Sequence, residues 1–408
     1  MTRRAGAARG ATTQDPYGLG PVRGYVAPVV AAVALLIVGA MTFSLLNGQI
    51  PFRGGTGGPD GQPAANRTPA PSNIVIVEPE VTFPGSIVYA KAGNIWVQTG
   101  HDVRQLTDSG LDSMPSFSPD GQWVYFIRQV PGRGLRPVGG HFNWYDLSTP
   151  EVSRVPTDGS AKPQQVVSGR IRSGQSTWFF WIRQPVLSPN GHTLALISDG
   201  TDPNANDVVI QLYDTATKKF TKPTVSHTSL GHQDPAWRPD GKALLFVKNG
   251  RDGSLGAPVI VRYDPATDKS RTLTGPGYIA PAWSPDGGYI AATKTDSFGT
   301  DIAILDAKTG AEVLRVTNDD HSFSPVWSPA GDAIAFLHIE GMIVDLKMVA
   351  LDGARGAWTV GKTTALTNVS GLDAGSRPSW FVPASQLPAP SVAPSGSGAS
   401  PSPSASTP

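Results

Sequence analysis

The stretch "PAWSPDGGYIAATK", Pro281 to Lys294, decides the fold because it recurs. In-register copies are "PSFSPDGQWVYFIR" from Pro115, "PVLSPNGHTLALIS" from Pro185, "PAWRPDGKALLFVK" from Pro235 and "PVWSPAGDAIAFLH" from Pro325. A fragment, "PSWFVP", begins at Pro378. Successive copies start 70, 50, 46, 44 and 53 residues apart. Ser-Pro-Asp-Gly is turn chemistry: Pro presets φ, Asp bonds nearby backbone, and Gly accepts positive φ. The run that follows, such as "YIAAT" or "ALLFV", suits a short buried strand. Ser284 and Asp286 therefore read as turn residues, not as a hydrolase pair. Ser118 and Asp120 repeat them, and one active site does not need several copies. Trp237, Trp283, Trp327 and Trp380, with Phe117 and Leu187 in register, read as packing between units; the alternative is an aromatic ligand cage.

A period of roughly 40–50 residues with strand-like content signals a β-propeller. Each unit supplies four strands, A to D, with the Pro-x-Trp on A and often a Leu-Thr ending ("RQLT", "RTLT", "TALT"). The segment Gly85–Thr107 reads as B, C and D without A, and the last copy supplies A alone. Joined, they make one blade from both ends. The expected fold is all-β: a six-bladed propeller closed three-plus-one by N- and C-terminal strands, which removes exposed sheet edges. Over residues 85–384, "NIWVQTGHDVRQLTDSGLDSMPSFSPDGQWVYFIR" and its copies resemble the WD40-like (PD40) repeats of TolB-type propellers. The resemblance implies a ring, and relatives of this kind include scaffolds, sugar-processing enzymes and peptidases. TolB carries an α/β domain before its ring; here an arm, an apolar segment and a linker occupy that place. No G-x-S-x-G elbow occurs in the sequence.

"YVAPVVAAVALLIVGAMTFSLL", Tyr25 to Leu46, is 22 residues without a charge. As a helix it would span about 33 Å, close to the hydrocarbon core of a bilayer. Arg3, Arg4, Arg9 and Arg23 precede it against Asp15, which places the N-terminus in the cytoplasm and the remainder outside. A cleaved signal peptide is the competing reading; its apolar core would be shorter. The expected organisation is a cytoplasmic arm (1–24), one transmembrane helix (25–46), a flexible linker (47–84), the propeller (85–384) and a disordered Pro/Ser-rich tail (385–408). The chain has no cysteine, which excludes disulfides and thiolate chemistry. Its net charge of +1 gives no field for nucleic acid.

D-to-A and B-to-C connections share one face of a propeller, and the Ser-Pro-Asp-Gly turns lie on the other. Two insertions fall on the first face. One is Gln129–Pro150, between B and C of the first blade; the other is Gly169–Gln184, leading into the second. The second holds Trp178, Phe179, Phe180 and Trp181, read as a partner-binding anchor or, alternatively, a buried strand extension. Asp112, Arg183, His232, Asp234, His321 and Arg377 precede A strands and are candidates to ring the channel mouth, or simply to cap loops. "DPNAND", Asp202–Asp207, begins like a calcium loop, but Asp207 and Tyr213 stand where the Gly and Glu are needed; a hairpin tip is expected. The seven histidines form no H-x-H or H-x-x-x-H pair, so no metal and no cofactor is expected. The sequence points to a non-catalytic envelope binding or scaffold module for a protein or peptide. The alternative is a propeller enzyme acting on glycans or esters at the channel mouth.

Overall fold

The computed structural model describes residues 83–201, 207–228, 230–250 and 257–387. The expected membrane helix, most of the linker, most of the "DPNAND" loop and nearly all of the tail lie outside them. Among the described residues no helix is long and apolar enough to cross a membrane.

Three strands open the fold: β1 (Ser86–Lys91), β2 (Asn94–Thr99) and β3 (Asp102–Gln105). Blade 1 follows with β4 (Asp112–Phe117), β5 (Trp123–Val138), β6 (His141–Pro156) and β7 (Gln164–Ser168). A separate hairpin, β8 (Arg170–Ser173) and β9 (Ser176–Phe179), leads into blade 2: β10 (Ile182–Leu187), β11 (Thr193–Ser198), β12 (Val209–Asp214) and β13 (Phe220–Thr221). Blade 3 is β14 (His232–Trp237), β15 (Leu244–Lys248), β16 (Val259–Asp264) and β17 (Lys269–Thr272). Blade 4 is β18 (Tyr278–Trp283), β19 (Tyr289–Thr295), β20 (Thr300–Asp306) and β21 (Glu312–Arg315). Blade 5 is β22 (Ser322–Trp327), β23 (Ala333–Glu340), β24 (Ile343–Ala354) and β25 (Ala357–Ala365). The last strand, β26 (Ser379–Phe381), pairs with β1, so blade 6 has the order β26-β1-β2-β3. There are six four-stranded antiparallel sheets, closed three-plus-one as the repeats imply.

Local chemistry explains the repeat. In the turn of blade 4 the Ser284 hydroxyl donates to Asp286 (2.5 Å) and accepts from the Tyr289 N–H (2.9 Å). Asp286 also accepts from the Gly288 N–H (3.0 Å). Ser118 and Asp120 do the same in blade 1. The Leu-Thr ending has a matching purpose. Thr107, Thr274 and Thr367, with Thr317 of a Val-Thr ending in blade 4, take the N–H groups of Ile95, Ile260, Leu346 and Ile302 respectively, each on the neighbouring C strand near the end of D.

The core lies between blades. Trp283, for example, packs with Ala236, Leu245 and Ile260 of blade 3. Its indole N–H reaches back to Ala236 O at 3.0 Å. Trp237 does likewise with Val186 O of blade 2, whereas Trp380 bonds within its own blade, to Pro84 O before β1. Trp237 and Trp283 are therefore packing residues that also tie their blades to the preceding one. Trp327 departs from this, since its buried Nε1 has no partner among the described residues.

The chain enters and leaves the ring on the turn face. Phe83 stacks edge-on against Trp380, and a Cβ on Gly121 of the first turn would strike Phe381. On the opposite face each D-to-A connection leans on a B-to-C loop of the preceding blade: Asp112 N–H donates to Gly93 O, and His232 N–H to Val208 O.

Candidate functional site

The innermost strands share a feature invisible in composition. In β4, β10, β14, β18 and β22 the register slips at the residue before the repeat proline. Met114, Gln184, Asp234, Ala280 and Ser324 there have φ between 50° and 55°. Non-glycine residues in this region are strained by about 1–3 kcal/mol each, so neighbours must hold them. The bulge turns an N–H sideways, and another blade caps it. Met114 N–H donates to Ser376 Oγ (2.8 Å), Asp234 N–H to Gln184 Oε1 (2.8 Å), Ala280 N–H to Asp234 Oδ2 (3.0 Å) and Ser324 N–H to Thr293 Oγ1 (2.9 Å).

Offset from the proline separates the channel-mouth candidates. Asp234 and Arg377 stand one residue before it and belong to this inner network. Gln184 Nε2 donates to Asp234 Oδ1 at 2.6 Å. Arg377, in the closing blade, donates to Pro281 O (2.8 Å) and Pro235 O (2.9 Å), spanning the ring to blades 3 and 4. Desolvation pulls its guanidinium below the ordinary value, and Asp234 opposes that shift. Asp112 and His232 stand three before the proline and are buried. Asp112 forms a bidentate pair with Arg128 at 2.7 and 2.8 Å. His232 Nδ1 accepts from Ile210 N–H, Nε2 donates to Ser226 O, and the ring lies 4.6 Å from Phe246. Burial pushes its pKa down to about 4. Arg183 and His321, two and four before the proline, are exposed. The six thus do not form one ring of free groups. Among the described residues no set of three or more His, Cys, Asp or Glu is placed to hold a metal.

The first insertion, read as a loop, is an unbroken hairpin. β5 and β6 are each 16 residues long, and their upper halves, from Gln129↔Pro150 to Val138↔His141, form an arm. Gln129 N–H donates to Leu111 O, away from β6. Backbone alternation puts the nitrogens of Pro131 and Pro137 on that same outward side. The prolines thus leave the hairpin intact and remove donors from its open edge.

One side of the arm is covered by β8–β9. Gly134 is required there, because a Cβ would meet Leu147 at 2.4 Å and Thr177 at 2.8 Å. Beside it the Arg136 guanidinium lies 5.9 Å from the Trp178 ring and 5.4 Å from Phe179, with its Nε buried and unpartnered. The other side is bare. Leu135, Pro137, Phe142 and Trp144 share it through the register Leu135↔Trp144 and Pro137↔Phe142. Trp144 is 60% exposed and Phe142 46%.

Of the four aromatics singled out in the second insertion, Phe180 is buried against Phe220, and Trp178 and Phe179 are half-covered by Arg136. Trp181 is exposed, beside Phe179 at 5.8 Å. The aromatics that sequence reading missed are Phe142, Trp144 and Tyr145. The signal was present: "GGHFNW" is a glycine turn followed by alternating aromatics. Elsewhere on this face Leu230, Phe298, Met342 and Val369 protrude from loops of blades 3 to 6. The turn face instead has shallow clefts between blades, the larger about 520 Å³ and lined by Trp237, Asp240 and Asp264.

A ring of six repeat-built blades with one decorated face defines a β-propeller of the repeat-closed kind. The TolB β-propeller domain family (PD40) matches residues 162–365, and the chain belongs to it. Among solved structures, TolB from Acinetobacter baumannii is similar with 20% identity, a TM-score of 0.53, and coverage of 74% of this chain and 68% of that one. A TolB from Agrobacterium tumefaciens has 18% identity and a TM-score of 0.49 over 75% and 96% of the two chains. At such identities the likeness concerns the fold alone. No curated protein matches the chain.

Proposed function

We propose that this is a non-catalytic, membrane-anchored, extracytoplasmic binding or scaffold protein of the cell envelope. It presents the insertion-bearing face to a protein or peptide partner. One observation carries the reading: an ordered arm holds Trp144 and Phe142, beside a half-buried Leu135, on a face that nothing among the described residues covers. Large aromatics held rigidly in the open are the residues from which interface anchors are built. The inner network weighs the same way, since Asp234 and Arg377 are committed to neighbouring blades rather than free to act on a substrate. The described chain enters and leaves the ring by the opposite face, at Phe83 and Trp380.

The test is affinity capture from envelope extract with the full chain. Wild type is compared with Phe142→Ala/Trp144→Ala and with a turn-face control, Lys242→Ala. The expected result is a partner, identified by mass spectrometry, that is lost by at least tenfold from the arm variant only. Identical profiles from all three proteins would overturn the reading. The exposed sites make stability changes beyond about 0.5 kcal/mol unexpected.

A further inference from the structure

Blade 3 departs from the repeat on the turn face. Where the other complete copies open their turn with Ser118, Ser188, Ser284 or Ser328, blade 3 has Arg238. Arg238 donates to Asp240 at 2.9 Å and packs on the turn of blade 4, where a Cβ on Gly287 would meet its Nε at 2.5 Å. The strand register brings in two more arginines. Arg262 of β16 stands directly opposite Arg271 of β17. By backbone alternation both lie on the side that carries Ile260 and Leu273 into the core shared with blade 4. Like charges opposed across a sheet repel. The corresponding pairs in the other blades hold at most one charge: Arg154↔Gln164, Leu212↔Thr221, Ile304↔Leu314, Met348↔Thr364 and Val97↔Arg104. Arg271 donates to Lys308 O of blade 4 at 2.9 Å, and Arg238 and Arg262 lie 5.7 and 5.9 Å from the Trp283 ring. Arg262 is half-buried and has no hydrogen-bond acceptor among the described residues. Burial lowers its pKa, the charges of Arg238 and Arg271 lower it further, and Asp240 and Asp264 oppose them more weakly. Both carboxylates are engaged, Asp240 by Arg238 and Asp264 by the Ala266 N–H of its own turn (2.9 Å).

We propose that the junction of blades 3 and 4 on the turn face binds an oxyanion of the phosphate class, either free or as the phosphomonoester headgroup of a lipid. Arg262 supplies the unspent donors, and Arg238 and Arg271 supply the flanking charge. The Trp283 ring keeps water from one side of the group and so strengthens each interaction with the anion. A bound dianion offsets the repulsion that the register imposes on Arg262 and Arg271. A long polyanion fits less well, because Asp240, Asp268 and Asp286 are exposed around the junction and would repel it. The site goes beyond the partner-binding reading and is independent of it, since the arm stands on the opposite face.

The experiment titrates the full chain, in a nonionic detergent at low salt, with inorganic phosphate by isothermal titration calorimetry. Sodium acetate at equal ionic strength is the control anion. The expected result is saturable phosphate binding at one site, with acetate at least tenfold weaker. Two variants test the assignment. Arg262→Leu gives blade 3 the residue type that blade 2 carries at Leu212, and Arg238→Ser restores the turn of the repeat. Each should weaken phosphate binding at least tenfold, whereas Arg172→Gln, on the opposite face, should bind as the wild type does. Micelles doped with phosphatidic acid then separate the two sources. Displacement of phosphate by them supports the site with a lipid headgroup as its ligand, and no displacement supports it with a soluble phosphate. Absence of saturable phosphate binding, equal affinity for acetate, or an affinity unchanged in either Arg262→Leu or Arg238→Ser would overturn the proposal. None of these results bears on envelope capture through Trp144, so the two readings stand or fall separately.

Discussion

On the turn face, nearly the same short solution is written again and again. Ser118, Ser188 and Ser284 each pair with the residue two further on and close the same turn around the following strand. On the opposite face the described connections vary in length and form: blade 1 raises a long arm, blade 2 is entered through its own hairpin, and blade 4 turns with a few residues around Asp296. The difference teaches where each kind of information is kept. A repeated turn solves a problem every blade shares, so it reports architecture. An unrepeated arm solves a problem the ring does not have, so it is the better place to look for a partner.

Three changes set the ring against its decorated face. Arg377→Met should do the most damage. It deletes two charge-assisted bonds across the ring and leaves Pro235 O and Pro281 O unpaired, a loss of about 3 kcal/mol by urea unfolding. The same measurement on Trp144→Ala should move by less than about 0.5 kcal/mol. If the two cost alike, the arm is part of the ring's stability and the comparison fails.

His232 sharpens the contrast by pH. Its pKa in the folded chain, about 4, is depressed from 6.5 by burial. The unfolded chain therefore takes the proton first. Stability from this group is complete above about pH 6.5 and is lost as pH falls toward 4, at about 1.4 kcal/mol per pH unit. His232→Gln should flatten that window, whatever it does to stability at neutral pH. An unchanged slope would show that His232 is not the group responsible.

The smallest effect tests the one irregular tryptophan. Trp283→Phe should cost about 1 kcal/mol more than Trp327→Phe, because only the former gives up an indole hydrogen bond, to Ala236 O. Equal costs in thermal or urea unfolding would mean that the Trp283 bond contributes nothing net.

The ring was legible in the sequence and the site only in part, and the same residues show why. Trp283 and Ser284 recur at a fixed offset, so their roles could be inferred without coordinates. Asp112, Asp234 and Arg377 all stand one to three residues before a repeat proline, yet they have different fates. One pairs with its own blade's Arg128, one caps Ala280, and one crosses the ring. The bulge before each proline sets these fates, and no residue type announces it. Trp178 and Phe180 looked like an anchor by composition, but the half-covered and buried positions went to them and the open ones to Trp144 and Phe142.

By itself the sequence determined the repeat, its turn chemistry, the count of blades and the way the last strand completes the first sheet. Those follow from local rules, since proline, aspartate and glycine restrict backbone within a few residues and the period does the rest. Only the tertiary structure decided which polar groups are spent inside the ring and which aromatics face outward. Both depend on contacts between residues far apart in the chain, such as Arg377 with Pro235 and Gly134 with Thr177. Burial and pairing are properties of the closed ring, and they exist only once every blade is in place.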